Sequence, residues 1–171
     1  GGGIANTCLA AKGFNVGKSL VEDSMLQEAK ELIGNPKITI PESVIVSESP
    51  DKPGRVTNAN SINENESIFD IAPQSLFALE SIINNAGTIL WNGPLGFFEK
   101  DNFAMGTITV AKMIISSKGF SVAGGGDTIS AAEKAGVLDS LDYVSTAGGA
   151  FLEFMEGRKL PAIEALIDKA D

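Results

Sequence analysis

The part of the sequence that most clearly indicates chemistry is an apolar run that ends in three glycines, an aspartate and a threonine. Residues 120–128 read FSVAGGGDT. Because glycine has no Cβ, the N–H groups of Gly125 and Gly126 can approach a phosphate closely, and a helix that begins here adds its free N–H groups. A carboxylate at Asp127 would repel a bare phosphate, but it suits a Mg²⁺ ion that bridges phosphates. The residues alone leave open a plain tight turn in which Asp127 caps the helix.

A second glycine-rich turn follows the next apolar run. Residues 145–150 read STAGGA, so Gly148 and Gly149 would expose N–H groups at another helix start. Two helix starts that follow neighbouring strands can face one anionic ligand. The pair therefore favours a polyphosphate more strongly than either turn does alone.

A third turn, WNGPLGFFE at residues 91–99, combines backbone freedom with apolar surface and two polar ends. This composition suits a slot for adenine, with Glu99 accepting hydrogen bonds from ribose hydroxyls. The alternative, which the pattern by itself favours, is an ordinary Gly-Pro turn whose Trp91 and phenylalanines belong to the core.

Composition excludes several other classes of site. The 171 residues include no His and one Cys, which removes Ser-His-Asp, Cys-His and zinc-hydrolase chemistry and any internal disulfide. A single cysteine also fits a reducing compartment. The net charge of −9 argues against broad binding to nucleic acid or to an anionic membrane surface. The sequence has no apolar run of the roughly 20 residues that a membrane helix needs.

Two further motifs come close to known nucleotide-binding patterns but do not match them. Residues 12–19, KGFNVGKS, approach a P-loop, but Lys12 stands where the first glycine is needed and no strand precedes it. We therefore interpret Lys18 as a solvated loop residue or one that binds the preceding carbonyls. The triple glycine also lacks the GxGxxG spacing, since a match that starts at Gly125 has Ser130 in its last place, so a nicotinamide dehydrogenase is not supported.

The order of elements predicts an α/β fold. From Thr88 onward, strands at 88–91, 120–123 and 143–145 alternate with helices at 103–117, 128–135 and 150–155. Their continuous apolar runs predict a parallel sheet that is covered on both faces and binds ligands at the carboxyl ends of its strands. The remaining expectations are helices at 4–12, 22–32, 74–85 and 160–166 and strands at 38–40 and 44–46. Polar residues 47–66 form either a long surface excursion or a small hairpin.

Taken together, these motifs resemble the phosphoglycerate kinase family. The matching stretches are GGGIANT at 1–7, WNGPLGFFE at 91–99, GGGDT at 124–128, STAGGA at 145–150 and LEFMEGRKLP at 152–161. Their order and spacing resemble the bacterial members over essentially the whole chain, but only the later part of the family's nucleotide-binding domain. We therefore expect a fragment whose beginning is missing.

The resemblance implies a Rossmann-like, three-layer α/β/α fold with a mainly parallel sheet that is incomplete at its N-terminal side. Residues 1–156 would form a partial nucleotide-binding domain. Residues 157–171 would form a tail that returns toward an absent substrate domain. A sheet without its first strands exposes an edge and apolar surface, so we also expect self-association or an unseen remainder of the chain.

The function implied by the resemblance is reversible phosphoryl transfer between ATP and 3-phosphoglycerate, which yields 1,3-bisphosphoglycerate and ADP, in cytoplasmic glycolysis. The full-length enzyme would be a monomer that uses Mg²⁺ with ATP or ADP, and 3-phosphoglycerate would bind through the absent N-terminal domain. By motif, the adenine slot would be lined by Gly1, Gly2, Pro94 and Phe97. Glu99 would hold the ribose, and Asn92 would lie near the phosphates.

The resemblance also assigns the residues around the phosphates. The phosphates would be held by Gly125, Gly126 and Thr128, and Asp127 would bind Mg²⁺. The transferred phosphoryl group would be stabilised by Gly148 and Gly149.

The sequence also departs from the family. Ala147 and Ala72 stand where glycine is usual, and Arg55 and Arg158 do not match the family's catalytic arginine. That arginine, the substrate domain and the lysine-bearing first strand of the nucleotide domain are absent. We therefore expect the 171-residue chain alone to be inactive. The alternatives are a nucleotide-binding module with no catalysis of its own and a structural α/β domain that binds no nucleotide.

Overall fold

The computed structural model describes residues 1–167 and residue 169, so the end of the predicted tail, residues 168, 170 and 171, lies outside the described residues. The helices are α1 Gly2–Ala11, α2 Leu26–Leu32, α3 Pro73–Asn85, α4 Met105–Ser116, α5 Gly126–Ala135, α6 Gly149–Met155 and α7 Pro161–Ile167. The strands are β1 Ser43–Ser47, β2 Arg55–Asn58, β3 Ser67–Ile71, β4 Thr88–Asn92, β5 Phe120–Gly124 and β6 Tyr143–Ser145.

The later half of the chain folds as the alternation predicts. Strands β4, β5 and β6 form a parallel sheet in that order, which confirms the α/β class. The register sets Asn92 beside Gly124 and Gly124 beside Ser145. The three carboxyl ends, and with them the three glycine-rich turns, therefore meet at one edge of the sheet.

The two faces of this parallel sheet are covered unequally. Ile89, Trp91 and Ala123 are buried in one core with side chains of α3, α4 and α5. On the other face, Phe120 is 53% exposed and Tyr143 is 55% exposed. We expected both faces of each strand to be covered. For β4 this is wrong in detail, because its residues alternate between exposed and buried.

The earlier half contains a second, antiparallel sheet with the order β2-β1-β3. Strand β2 lies inside the polar segment 47–66 and pairs with β1. The segment is therefore part of a hairpin rather than a long surface excursion. Arg55 and Glu66 close the hairpin with two hydrogen bonds, at 2.7 and 2.5 Å. The Arg55 hydrogen bond is the main cause that lowers the pKa of Glu66.

Two strand assignments differ from the prediction. Residues 38–40 form no strand, although Ile40 packs its side chain against two apolar clusters of the earlier half. The apolar signal there reflects burial without backbone pairing, next to prolines that limit pairing. Strand β3 was not predicted, and it pairs with β1 next to the candidate site.

The predicted helices all form, with shifted ends. The helix predicted at 22–32 begins as a 3₁₀ turn, Asp23–Met25, and continues as α2. The helix predicted at 103–117 is likewise preceded by a 3₁₀ turn, Asp101–Phe103, and α4 starts at Met105. Phe103 in that turn is completely buried and stacks on Phe69 of β3, with ring centroids 4.8 Å apart. This pair joins the antiparallel sheet to the start of α4.

We expect Phe103→Ala to lower the free energy of unfolding by about 3–5 kcal/mol, because it leaves a cavity in a closed core. The matched control is Phe77→Ala, since Phe77 is 72% exposed and its removal should cost no more than about 0.5 kcal/mol. Urea unfolding of both variants measures the difference. Equal destabilisation by the two changes would contradict the assigned core.

Candidate functional site

The turn between β5 and α5 has the geometry of an anion site. Gly125 is the N-cap of α5 and has a φ of 94°, which is strained for any side chain. The first hydrogen bond of the helix runs from the Ile129 N–H to the Gly125 carbonyl, so the N–H groups of residues 126–128 have no partner inside the helix. The Asp127 side chain is exposed beside them. These three donors and one carboxylate can receive a phosphate together with a cation.

Asn92 lies close to this turn, as the resemblance implies for a residue near the phosphates. A Cβ built on Gly125 would lie 3.2 Å from Asn92 Oδ1 and 3.5 Å from Thr128 Oγ1. Asn92 ends β4 and is exposed. The amide of Asn92 therefore borders the same space as the turn of residues 124–128, here called the phosphate turn.

The turn between β6 and α6 repeats this design one strand further on. Gly148 is the N-cap of α6 with a φ of 56°, and both Gly148 and Gly149 are exposed.

The two alanines that depart from the family pattern fit their backbone positions. Ala147 is exposed, and no described non-glycine residue has a positive φ. Ala72 has a φ of −73°. Neither alanine strains the backbone.

The loop of residues 93–98, here called the base loop, is tied to the phosphate turn. The Gly93 N–H donates to Thr128 Oγ1 at 2.7 Å, and the Trp91 indole N–H donates to the Gly93 carbonyl at 2.9 Å. Thr128 is only 1% exposed, so its hydroxyl is engaged within the protein. Its free backbone N–H is the group that can contact a phosphate.

A second threonine fixes the middle of the base loop. Thr107 is completely buried, and its hydroxyl accepts hydrogen bonds from the N–H groups of Leu95 at 3.1 Å and Gly96 at 3.2 Å. The next N–H, of Phe97, donates to the Phe69 carbonyl of β3 at 2.7 Å. On the other side, the Gly2 N–H donates to the Leu95 carbonyl at 3.0 Å. The base loop is thus held by α1, β3, α4 and α5.

A cavity of about 320 Å³ lies between α1 and the base loop. Its lining residues are Gly2, Gly3, Asn6, Lys18, Ser19, Leu20, Ser67, Ile68, Phe69, Leu95, Gly96 and Phe97. The structure therefore brings two predicted residues, Gly2 and Phe97, onto one largely apolar slot. Lys18 is its one charged lining residue among those described, and neither Lys18 nor Phe69 was predicted as a site residue.

The other predicted residues of this region lie around the slot rather than on it. Gly1 packs against Leu95 and lines a separate cavity of about 580 Å³ between β1 and α3. Pro94 is half-buried in the base loop, and Glu99 is exposed just after it. Neither Pro94 nor Glu99 lines the 320 Å³ slot.

A buried carboxylate lies behind the base loop, and no pattern in the sequence marks it as a site residue. Asp70 of β3 is 1% exposed. Its Oδ2 accepts the N–H of Gly106 at 2.7 Å, and its Oδ1 accepts the N–H of Ile71 at 2.8 Å. Burial raises the pKa of Asp70 to about 6, against the opposing effect of these two donors.

The donor set limits how a metal could bind. Within residues 1–167 and 169, no group of three or more His, Cys, Asp or Glu side chains could hold a metal ion. Mg²⁺ is commonly bound by one or two carboxylates together with substrate phosphates, and the single exposed Asp127 beside free N–H groups fits that pattern. Among the described helices, none combines the length and apolar character needed to cross a membrane.

Comparison with known proteins identifies relatives of this fold. The family model described as phosphoglycerate kinase matches residues 1–158. The structure of phosphoglycerate kinase from Coxiella burnetii is similar over 100% of this chain and 46% of its own, with a TM-score of 0.92 and 44% identity. The phosphoglycerate kinase from Pyrococcus horikoshii OT3 matches 95% of this chain and 42% of its own, with a TM-score of 0.80 and 33% identity. The chain thus spans less than half the length of these two structures.

The raised pKa of Asp70 predicts a measurable pH dependence of stability. Its carboxyl stabilises the fold when protonated, and this contribution is lost as the pH rises through about 6. The full contribution is on the order of 3 kcal/mol, and roughly half of it is lost between pH 5 and 7.5. We therefore expect the unfolding free energy of the wild type, minus that of Asp70→Asn, to fall by about 1–2 kcal/mol over that range.

Urea unfolding at several pH values measures this difference. Asp142→Asn is the matched control, because the hydrogen bonds from Ser121 lower the pKa of Asp142. Its contribution to stability is present above the unfolded pKa and is lost at lower pH, which is the opposite sign. A difference that stays flat for Asp70→Asn would contradict the buried carboxylate described above.

Proposed function

The chain belongs to the phosphoglycerate kinase family, and on that basis we propose that it supplies the MgATP and MgADP site of a phosphoglycerate kinase. The observation that carries this proposal is the hydrogen bond between the Gly93 N–H and Thr128 Oγ1. It joins the phosphate turn to the base loop, so that one ligand can contact free N–H groups at one end and an apolar slot at the other. A nucleoside diphosphate or triphosphate has that distribution of charge and apolar surface.

In this proposal, the phosphates bind at the start of α5. The N–H groups of Gly125, Gly126 and Thr128 donate to phosphate oxygens, and Asn92 lies beside them. The positive end of the α5 dipole adds to the attraction, because α5 is ten residues long and its first N–H groups are free of helical partners.

The adenine occupies the slot between α1 and the base loop. Gly2 lets the start of α1 approach the ring closely, and Phe97 forms the opposite wall. Pro94 and Gly1 complete the surroundings of the base. Glu99, at the exposed end of the loop, accepts hydrogen bonds from the ribose hydroxyls.

Mg²⁺ would be held by Asp127 together with phosphate oxygens. When bound, the cation neutralises phosphate charge and orients the terminal phosphoryl group. The Asp127 carboxylate meets the cation without leaving its exposed position at the first turn of α5. This pairing accounts for an acidic side chain in a turn that otherwise attracts anions.

The chain's part in phosphoryl transfer is electrostatic positioning. The N–H groups at Gly148 and Gly149 stabilise charge on the transferred phosphoryl group, which passes through a loose and highly charged transition state. The reaction is reversible transfer between ATP and 3-phosphoglycerate in cytoplasmic glycolysis. The acceptor binds through the substrate domain of the family. Residues 1–156 form the nucleotide domain, and the segment that begins at residue 157 leads back toward that substrate domain. The complete enzyme acts as a monomer without nucleic acid.

A nucleotide-binding module without catalysis of its own is the second candidate for the isolated chain. Its two arginines lie away from the glycine-rich turns in the chain, since Arg55 begins β2 and Arg158 follows α6. Neither belongs to the turns that would hold the phosphates. The observation favours nucleotide binding alone until the rest of the enzyme is supplied.

We expect Asp127→Asn to weaken MgADP binding by at least about tenfold, because it removes one charged contact to the cation. Affinity for ADP in EDTA should not fall and should rise if anything, because the change also removes a charge that repels bare phosphate. Asp139→Asn, a change at another exposed aspartate, is the control and should leave both affinities unaltered. Titration calorimetry measures all three proteins. Absence of ADP binding by the wild type would overturn the proposed function.

We expect the 171-residue chain to form no ATP from ADP and 1,3-bisphosphoglycerate above the uncatalysed rate. Loss of a charge-neutralising arginine costs phosphoryl-transfer enzymes about 10³–10⁵ in rate. A coupled assay for ATP, with a complete phosphoglycerate kinase as the positive control, makes the measurement. ATP formation by the isolated chain would contradict the proposal that this chain binds nucleotide while the substrate domain supplies the acceptor site and the catalytic arginine.

A further inference from the structure

We propose that Asp70 is a positioning residue for the nucleotide: its buried carboxylate holds the base loop against the start of α4 and makes nucleotide affinity depend on pH. The inference rests on the proposed function. Asp70 itself touches no ligand, because its carboxylate lies behind the base loop and does not line the slot. It acts through the backbone that forms the wall of the slot.

The first connection runs through α4. Asp70 Oδ2 accepts the N–H of Gly106, the second residue of that helix, where the dipole favours a negative charge. The following residue, Thr107, accepts the N–H groups of Leu95 and Gly96. Asp70 therefore sets the position of the helical turn that holds the middle of the base loop.

The second connection is direct packing. A Cβ on Gly96 would collide with Asp70 Oδ1, and so would a Cβ on Gly106, so both glycines lie against the carboxylate. The neighbouring Phe69 carbonyl accepts the Phe97 N–H, and the two phenyl rings lie 5.9 Å apart. A displacement of Asp70 is therefore passed to Phe97, which forms one wall of the slot.

Protonation of Asp70 disturbs this arrangement because both carboxylate oxygens already accept an N–H. An added proton removes the charge that strengthens both hydrogen bonds, and the weaker bonds let α4 and β3 shift relative to the base loop. Burial raises the pKa of Asp70 to about 6, so the change falls within an accessible pH range.

The elements packed against Asp70 bring few other charges. Strand β1 carries no titratable side chain, α1 carries Cys8, and α4 carries Lys112, which is exposed. Glu99, after the base loop, is also exposed. The causes that shift the pKa of Asp70 are burial and the two backbone donors. Its titration is therefore a local event.

The first measurement is ADP affinity of the 171-residue chain between pH 5 and 7.5, at constant Mg²⁺, for the wild type and Asp70→Asn. We expect the wild-type affinity to fall by up to about tenfold per pH unit below the midpoint, and the additional fall to be absent in the variant. The titration of ADP itself affects both proteins equally, so the ratio of their affinities isolates Asp70.

The second measurement needs no ligand. Trp91 is the only tryptophan, and its indole donates to the Gly93 carbonyl of the base loop. Its fluorescence should change with a midpoint near pH 6 in the wild type and lose that transition in Asp70→Asn. Asp142→Asn should retain it, since Asp142 binds Ser121 near the start of β5. Thr107→Val should weaken ADP binding and keep the midpoint, because it loosens the same loop without removing the titrating group.

The outcomes separate the two proposals. Absence of ADP binding by the wild type at every pH overturns the proposed function and, with it, the nucleotide role of Asp70. Binding with the same pH profile in Asp70→Asn overturns the role of Asp70 alone. If the variant does not fold, a wild-type Trp91 signal that stays flat from pH 5 to 7.5 overturns the inference without it.

Discussion

The N–H groups of the base loop must find acceptors away from bulk water, and the arrangement of the site follows from that requirement. Three acceptors meet it: the hydroxyls of Thr107 and Thr128 and the carbonyl of Phe69. Each acceptor belongs to a different helix or strand. The loop is consequently a continuation of the core, and its shape is fixed before any ligand arrives.

The parallel sheet supplies the second half of the arrangement. Since Asn92, Gly124 and Ser145 are paired neighbours, the loops that follow them leave the sheet at one edge. Two of those loops lead into helices whose N-caps are glycines with positive φ, Gly125 and Gly148. Free N–H groups from two helices are thereby gathered on one side of the domain, which places a local positive potential on an acidic chain.

The sequence was most informative where the signal is local. Apolar runs that end in glycines predicted β4, β5 and β6 and the turns after them, because strand, turn and helix start are contiguous in the chain. It failed at residues 38–40, where the partly buried Ile40 resembles a strand residue, and at β3, whose partners in β1 lie twenty or more residues away. Asp70 and Lys18 were missed for the same reason, since only tertiary structure brings them to the base loop.

The glycine turns determine which mutations remove the hydrogen-bond donors of this site. The donors at the start of α5 belong to the main chain, so no substitution other than proline deletes them as it deletes a lysine or arginine. Replacement of Gly125 strains the backbone yet leaves its N–H in the chain. Insertion or deletion of a residue in the turn would redirect every donor at once. The main-chain donors therefore depend more on the length of the turn than on its side chains.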